Sequence, residues 1–279
     1  MQHKCLMMLI FMSGLFFQSM AQGDLLVTPT RVVFDGNKQK EDLNLVNIGT
    51  DTAIYSISFL QYNMKEDGSF SNVAKGDSGQ MFADPYLRVF PRKVTLAPRE
   101  PQVISLQYRH KPDMAAGEYR SHLYFRAEKN TKPLGVENET NDSTQLKIQL
   151  IPIYGISIPI IIRSGAVNVS ATLSDLKMEI LQDTIPYIKL VINRTGNISI
   201  YGDLTVEYVP VQGQSFQMGI VKGMGVYTNI NRRNVSIKLR KAPGTNLQNG
   251  KLIVKYMSND ANKIPVVYAE GELYLSSEK

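Results

Sequence analysis

The sequence predicts an all-β protein built from two sandwich domains, and three observations lead to that prediction. Short apolar runs rich in β-branched and aromatic residues recur along the 279 residues, separated by Gly, Asn, Asp and Pro. Helical periodicity is scarce. The chain is also longer than one ordinary sandwich needs, which suits two domains better than one.

The first 21 residues have the pattern of a secretory signal peptide. Residues 1–4 are polar with one lysine, residues 5–20 are almost wholly apolar, and Ser19 and Ala21 are small residues where a signal peptidase would cut. The apolar run is too short to favour a retained membrane anchor, and Cys5 lies too early for a lipoprotein cysteine. We therefore expect an exported protein without membrane insertion.

Seven candidate strands follow the signal peptide over roughly 140 residues, which is typical of an immunoglobulin-like sandwich. They are Leu25–Phe34, Leu43–Asn47, Ala53–Tyr62, Tyr86–Val89, Val103–Tyr108, Glu118–Ala127 and Leu146–Ile162. Between them, Lys65–Gln80 and Lys129–Ser143 are mostly polar and are predicted to be long loops. The first domain is expected to span residues 22–162.

Six further candidate strands predict a second, smaller β-sandwich over residues 163–279. They are Val167–Leu173, Tyr187–Asn193, Gly202–Tyr208, Val235–Leu239, Lys251–Tyr256 and Val266–Leu275. The two halves show no convincing repeat of one another. A Gly-Met-Gly stretch at 223–225 lacks the rest of a dinucleotide-binding fingerprint, so we expect a turn or a bulge there.

Composition excludes several classes of function. The only cysteine is Cys5, so the mature chain has no disulfide framework, thiolate zinc site or cysteine nucleophile. The net charge of +6 is scattered, without the basic stripe that nucleic-acid binding uses. His110 falls in a polar turn and His122 in a predicted strand, and neither belongs to a catalytic motif. We expect a protein that is not an enzyme and that holds no cofactor and no metal.

The stretch TQLKIQLIPIYGISIPIIIR, residues 144–163, predicts a strand that begins half exposed and ends buried. One face of its alternating part carries Leu146, Ile148 and Leu150, whereas its later part is apolar on both faces. Pro152 and Pro159 cannot donate backbone hydrogen bonds, which places the strand at a sheet edge. Such a strand could simply fill the core of its own domain, or it could lend its edge to a partner that lacks a strand.

Several segments, taken in order, resemble the periplasmic fimbrial (pilus) chaperones. TRVVFDG, residues 30–36, resembles the first-strand motif of an arginine before an apolar run and a turn. LRVFPRKVTLAPREPQVISL, residues 87–106, resembles the family's two spaced prolines before a strand, and GEYRSHLYFRA, residues 117–127, its Glu and Ser before an aromatic pair. The resemblance covers most of the first domain, while the second matches only in size and β character.

The resemblance implies a periplasmic chaperone of two immunoglobulin-like domains set at an angle. It would bind pilin-like or other secreted subunits that lack a strand by lending them an edge strand, and it would deliver them for assembly through an outer-membrane usher. The subunit-binding edge strand would present Leu146, Ile148, Leu150, Tyr154 and Ile156.

The family also holds the terminal carboxylate of the subunit in the cleft between the domains, with an arginine and a lysine. Arg31 matches the arginine, whose planar fork can hold a carboxylate through two parallel bonds. Ser157 stands at the lysine position, or Gly155 does if the alignment shifts by two residues. Neither supplies charge, so the resemblance leaves the second half of the carboxylate anchor without a cation.

Two other classes stay open from sequence alone. A structural immunoglobulin-like surface or adhesin component would carry an exchangeable extension after its signal or lack its last strand, yet here the first predicted strand begins at Leu25. A carbohydrate-binding sandwich would need exposed aromatic residues, but the chain has no Trp, and most of its 14 Tyr fall within strand patterns.

Overall fold

The computed structural model describes residues 24–73, 80–128, 153–181, 185–240, 247, 249–259 and 264–275. All regular elements in these residues are strands, apart from one turn of 3-10 helix at Asp84–Tyr86, and none of the described segments is a helix that could cross a membrane. Two apolar cores are present, one before residue 163 and one after it. The predicted all-β fold of two immunoglobulin-like sandwiches is confirmed.

The first sandwich has two sheets and a small hairpin. Its strands are β1 (Leu25–Thr28), β2 (Val32–Phe34), β3 (Lys40–Asn47), β4 (Ala53–Leu60), β5 (Tyr62–Met64), β6 (Phe70–Asn72), β7 (Leu87–Phe90), β8 (Lys93–Leu96), β9 (Pro101–Tyr108), β10 (Gly117–Glu128) and β11 (Gly155–Ser164). One sheet has the order β1-β3-β9-β7, and the other has the order β2-β11-β10-β4-β8. Residues that alternate along each strand, such as Leu43 and Leu45 of β3, fill the core between the sheets.

The beginning of the chain changes from one sheet to the other. β1 pairs with β3 in the four-stranded sheet, and β2 then pairs in parallel with residues 160–162 of β11 in the five-stranded sheet. Arg31 is the residue directly before β2. The change of sheet therefore brings an arginine beside the strand that the sequence singles out.

The C-terminal half of β11 is covered on both faces, as its sequence predicts. Ile160, Ile161 and Ile162 are all fully buried. Ile160 and Ile162 pack in the core between the sheets, whereas Ile161 points to the other face, opposite Arg120 of β10. Pro159 precedes the part that pairs with β2, so its missing N–H lies where no described strand adjoins it on that side.

The second sandwich follows directly. Its strands are β12 (Val169–Leu181), β13 (Ile185–Gly196), β14 (Ile200–Val209), β15 (Phe216–Val226), β16 (Arg232–Lys238), β17 (Gly250–Ser258) and β18 (Val267–Leu275). They form sheets of order β12-β13-β16 and β15-β14-β17-β18 around the second core. The residue limits 22–162 and 163–279 for the two domains stay predictions.

The structure corrects several of the strand predictions. β8 and β15 were not predicted; β15 contains three glycines, which are rare in strands. The hairpin of β5 and β6 occupies the end of a predicted strand and part of the loop predicted at Lys65–Gln80. It was not predicted because its strands have only three residues each. The predicted loop Lys129–Ser143 and the predicted strand positions up to residue 152 lie outside the described residues.

Candidate functional site

The outer face of the five-stranded sheet meets the second sandwich through buried polar side chains. Glu118, Arg120 and His122 of β10 lie on this face, and all three are buried. The Ser199 hydroxyl bonds both Glu118 and Arg120, and the Tyr227 hydroxyl lies 3.2 Å from Nε2 of His122. Both partners come from the second sandwich, so this polar interface joins the two domains.

Glu118 is the anionic centre of that interface. Its Oε1 accepts hydrogen bonds from Nη2 of Arg120 at 2.6 Å and from Nε at 3.1 Å, while its Oε2 accepts from the backbone N–H and the hydroxyl of Ser199. Burial alone would raise the pKa of the Glu118 carboxyl, but Arg120 and Ser199 hold that pKa below its usual value. The carboxylate is therefore ionised and fully paired without any further cation.

A cleft of about 740 Å³ opens between the two sandwiches beside this interface. It is lined by Pro29, Thr30, Arg31, Val33, Asp35, Arg163, Tyr201, Ser258, Asn259, Ile264, Val266 and Tyr268. Two arginines and one aspartate are its charged groups. Among the described residues, no group of three His, Cys, Asp or Glu side chains could hold a metal ion. The lining is suited to an anion that carries apolar groups.

Arg31 enters the cleft as a partly buried cation. Its guanidinium carbon lies 4.2 Å from the centre of the Tyr201 ring, and the guanidinium makes no hydrogen bond or ion pair with a described residue. Burial, together with the positive charges of Arg120 and Arg163 and against the attraction of Glu118, lowers the pKa of Arg31 to about 10. Arg31 stays protonated at neutral pH, and an anion bound beside it would offset the repulsion from Arg120 and Arg163.

Tyr201 is seated on a bulge in the second sandwich. The pairing of β14 with β15 shifts register between Gly202 and Leu204, and Gly223 opposite has a φ of +68°. A Cβ on Gly223 would come within 2.7 Å of the Tyr201 hydroxyl oxygen, and the Gly223 N–H donates to Asp203. The bulge predicted at Gly-Met-Gly is confirmed, and it makes the space in which the Tyr201 ring lies.

Arg163, the second cation of the cleft, lies at the end of β11. It stands directly opposite Glu118 in the pairing of β10 with β11, but its Nε remains 3.9 Å from Oε2 of Glu118. That Nε is buried and has no hydrogen-bond partner among the described residues. Because Arg120 already pairs with Glu118, Arg163 remains available to an anion in the cleft.

The structure does not place Ser157 in the cleft. Ser157 lies on the same face of β11 as Arg163 but six residues before it, about 20 Å away at the rise of a strand. It is opposite Tyr124, and it is not among the residues that line the cleft. Gly155, eight residues before Arg163, is not among the residues that line the cleft either.

The predicted edge residues are described only in part. Tyr154 is half exposed, and Ile156, on the same side of the strand, packs against the first core. On its outer side β11 pairs with β2 only from Ile160 onwards, so no described strand adjoins residues 155–159 there. Leu146, Ile148 and Leu150 lie outside the described residues, and their role stays a prediction.

Sequence reasoning missed Arg163 because the parallel pairing of β2 with β11 could not be derived from either strand. That pairing sets Val32 beside Ile160, so Arg31 lies next to Pro159 and the cleft opens toward the end of β11. One signal was available. In a two-residue period Arg163 shares a face with Ser157, and it ends the apolar run where the next domain begins.

Comparison with known proteins gives likenesses in fold. No protein-family model and no curated protein matches the chain. The alignment with the crystal structure of the YadV chaperone covers 90% of this chain and 100% of the YadV chain, at 13% sequence identity and a TM-score of 0.45.

Two further chaperones give similar values. The CsuC–CsuE chaperone–tip adhesion subunit pre-assembly complex from archaic Csu pili of Acinetobacter baumannii matches 88% of the chain and 98% of its own, at 11% identity and a TM-score of 0.46. The CupB2 chaperone of Pseudomonas aeruginosa matches 90% and 100%, at 13% identity and a TM-score of 0.41. All three are chaperones, and each is a likeness in fold.

Proposed function

We propose that this chain is a periplasmic, non-enzymatic chaperone that lends the open edge of β11 to secreted subunits lacking a strand. One observation carries the proposal. Two arginines whose guanidinium groups make no hydrogen bond within the described residues line a cleft beside β11, and no other described strand adjoins residues 155–159 of β11 on the outer side. An open edge beside a cationic cleft fits the last strand of a partner chain together with the carboxylate that ends it.

The edge would supply backbone pairing and an apolar ladder. A client strand would pair with residues 155–159 and with the preceding residues of the predicted strand. Tyr154 and Ile156, together with the predicted positions Leu146, Ile148 and Leu150, occupy alternate places along one side. The side chains before Ile156, which itself packs against the first core, would fill the gap that the missing strand leaves in the client.

Arg31 and Arg163 would hold the terminal carboxylate of the client. The second cation of the anchor would thus come from the end of β11, in place of Ser157. Holding the chain end would also fix the register, because a slip of one residue turns every apolar side chain of a strand to the wrong face.

Typical magnitudes indicate how the two contributions compare. Burial of each apolar side chain of the ladder contributes about 1.5–3 kcal/mol, and a single hydrogen bond to a charged group contributes the same amount, about 1.5–3 kcal/mol. Several buried side chains and the backbone pairing therefore outweigh one anchor contact. We infer that the ladder supplies most of the affinity and that the two arginines supply the register.

The proposed partners follow from this role. The apolar segment of residues 5–20 and the small residues after it support export to the periplasm. There the chain would receive pilin-like or other secreted β subunits, and it would pass them to an outer-membrane usher.

Co-purification tests the anchor. The chain is expressed in a bacterial periplasm together with a secreted β subunit that lacks one strand, and the subunit recovered with the chaperone is measured. Arg31→Ala and Arg163→Ala should each lower recovery several-fold, whereas Arg88→Ala, on an exposed residue of β7, should not. Full recovery with both cleft variants would refute the anchor.

The ladder is tested with a second pair of variants in the same assay. Ile148→Asp should abolish recovery, because it places a charge where an apolar side chain is expected to be buried. Ser157→Ala should leave recovery unchanged, since Ser157 lies outside the cleft. Equal effects of the two variants would contradict the proposed order of importance.

A further inference from the structure

The cleft has an apolar lining that the carboxylate anchor does not use. Ile264 and Val266, from the segment before β18, are 88% and 58% exposed, which is unusual for aliphatic side chains lining a concave surface. Val33 adds an aliphatic side chain from the first sandwich. Together these residues give apolar surface in the same cleft as Arg31 and Arg163.

The position of Val266 is fixed by hydrogen bonds. Its N–H donates to the Ser258 hydroxyl at 2.7 Å, and its carbonyl accepts from the Ser258 N–H at 2.8 Å. The Tyr268 ring, two residues later, packs against Tyr256 with a centroid distance of 5.4 Å. This part of the cleft is therefore anchored to the second sandwich and forms a preformed surface.

Resting on the function proposed above, we infer that this apolar surface binds the side chain of the client's last residue and selects clients that end in an aliphatic or aromatic residue. The carboxylate and the side chain of a terminal residue are attached to the same Cα. A carboxylate held by the two arginines therefore brings its own side chain into the same cleft. A volume of about 740 Å³ accommodates a terminal residue of any size.

Charge explains what the cleft would discriminate against. A terminal lysine would bring a third positive charge beside Arg31 and Arg163, which is unfavourable for two cations already short of anionic partners. A terminal serine would gain nothing from the apolar surface. Affinity should therefore rank a terminal leucine above a terminal serine, and serine above lysine.

The test uses the mature chain and fluorescein-labelled peptides of twelve residues that alternate Val and Thr. The peptides end in Leu, Ser or Lys, each with a free carboxylate or an amide, and dissociation constants come from fluorescence anisotropy. The carboxylate-to-amide ratio reports the anchor, and the Leu-to-Ser ratio at a free carboxylate reports the apolar surface. We expect the Leu peptide to bind about tenfold more tightly than the Ser peptide.

Variants separate the two contributions. The double variant Ile264→Ser/Val266→Ser should bring the Leu-to-Ser ratio close to one and leave the carboxylate-to-amide ratio unchanged. Arg31→Ala should bring the carboxylate-to-amide ratio close to one and leave the Leu-to-Ser ratio unchanged. Val211→Ser, a matched change at a residue that is 76% exposed and outside the cleft, should alter neither ratio.

Each outcome decides one level of the argument. Carboxylate and amide peptides that bind the wild-type chain equally would refute the anchor, and with it the proposed function of the cleft. A clear carboxylate preference with equal affinity for Leu and Ser would overturn only the selection of the last side chain. A Leu preference that survives in the double variant would also overturn it, because the preference would then arise elsewhere.

Discussion

The guanidinium of Arg31 lies 4.2 Å from the centre of the Tyr201 ring, and the two residues belong to different sandwiches. The cation proposed to hold the client carboxylate is therefore oriented by a side chain of the other domain. Because the ring carries no net charge, Arg31 is held in place while its positive charge remains unneutralised. The arrangement of the two domains and the geometry of the anchor are thus coupled.

Removal of the Tyr201 ring should weaken client binding. In Tyr201→Leu the cation–π contact, worth about 0.5–2 kcal/mol, is lost, and Arg31 becomes free to turn away from the cleft. We expect recovery of co-expressed subunit to fall several-fold, whereas Tyr201→Phe, which keeps the ring, should retain it. Equal recovery with Leu and Phe would contradict a positioning role for the ring.

Gly223→Ala should disturb the contact between Arg31 and Tyr201 by displacing the Tyr201 ring. The backbone at Gly223 has a φ of +68°, and its new Cβ would lie 2.7 Å from the Tyr201 hydroxyl oxygen. Gly36→Ala is the matched control, because Gly36 has a φ of +56° but nothing within 4 Å of an added Cβ. Both variants should lose about 1–2 kcal/mol of stability from left-handed strain.

Only the Gly223 variant should also lose client binding, since only it displaces the ring that orients Arg31. Urea unfolding measures the stability of the two variants, and co-purification measures their binding. Loss of binding in both variants to the same degree would show that the effect comes from the backbone strain alone.

The sequence was sufficient for the fold because alternation is a local property. Leu43 and Leu45 of β3 each mark an inward position without reference to any other strand. The second cation of the cleft was not accessible in this way. Arg163 lines the same cleft as Arg31 because of a parallel pairing between strands far apart in the chain, and neither strand alone contains that register. The short hairpin of β5 and β6 and the glycine-rich strand β15 were not predicted for a different reason, since both lack the composition that is typical of strands.

The hairpin of β5 and β6 contacts the second sandwich, where the Asn234 N–H donates to the Glu66 carbonyl and Asn229 makes a second contact. Its Nδ2 donates to the Met64 carbonyl at 2.8 Å, and its Oδ1 accepts from the Met64 N–H at 3.4 Å. Asn229→Ala should lower the free energy of unfolding by about 1–3 kcal/mol, since two backbone groups lose their partner. Asn44→Ala, on the exposed side of β3, should change it little. Identical urea midpoints for the two variants would show that the Asn229 contact contributes nothing to stability.

His122 should make stability depend on pH. Burial, with Arg120 as a second cause, lowers the pKa of His122 from 6.5 to about 3. Below about pH 6.5 the unfolded chain therefore binds a proton at His122 that the folded chain does not. This proton binding favours the unfolded state, so the free energy of unfolding is highest above that pH and decreases as the pH falls. Between about pH 6 and 4.5 the free energy of unfolding should fall by up to about 1.4 kcal/mol per pH unit. Urea unfolding of the wild type and of His122→Gln over this range measures the difference. A slope that persists unchanged in the variant would assign the pH dependence to other groups.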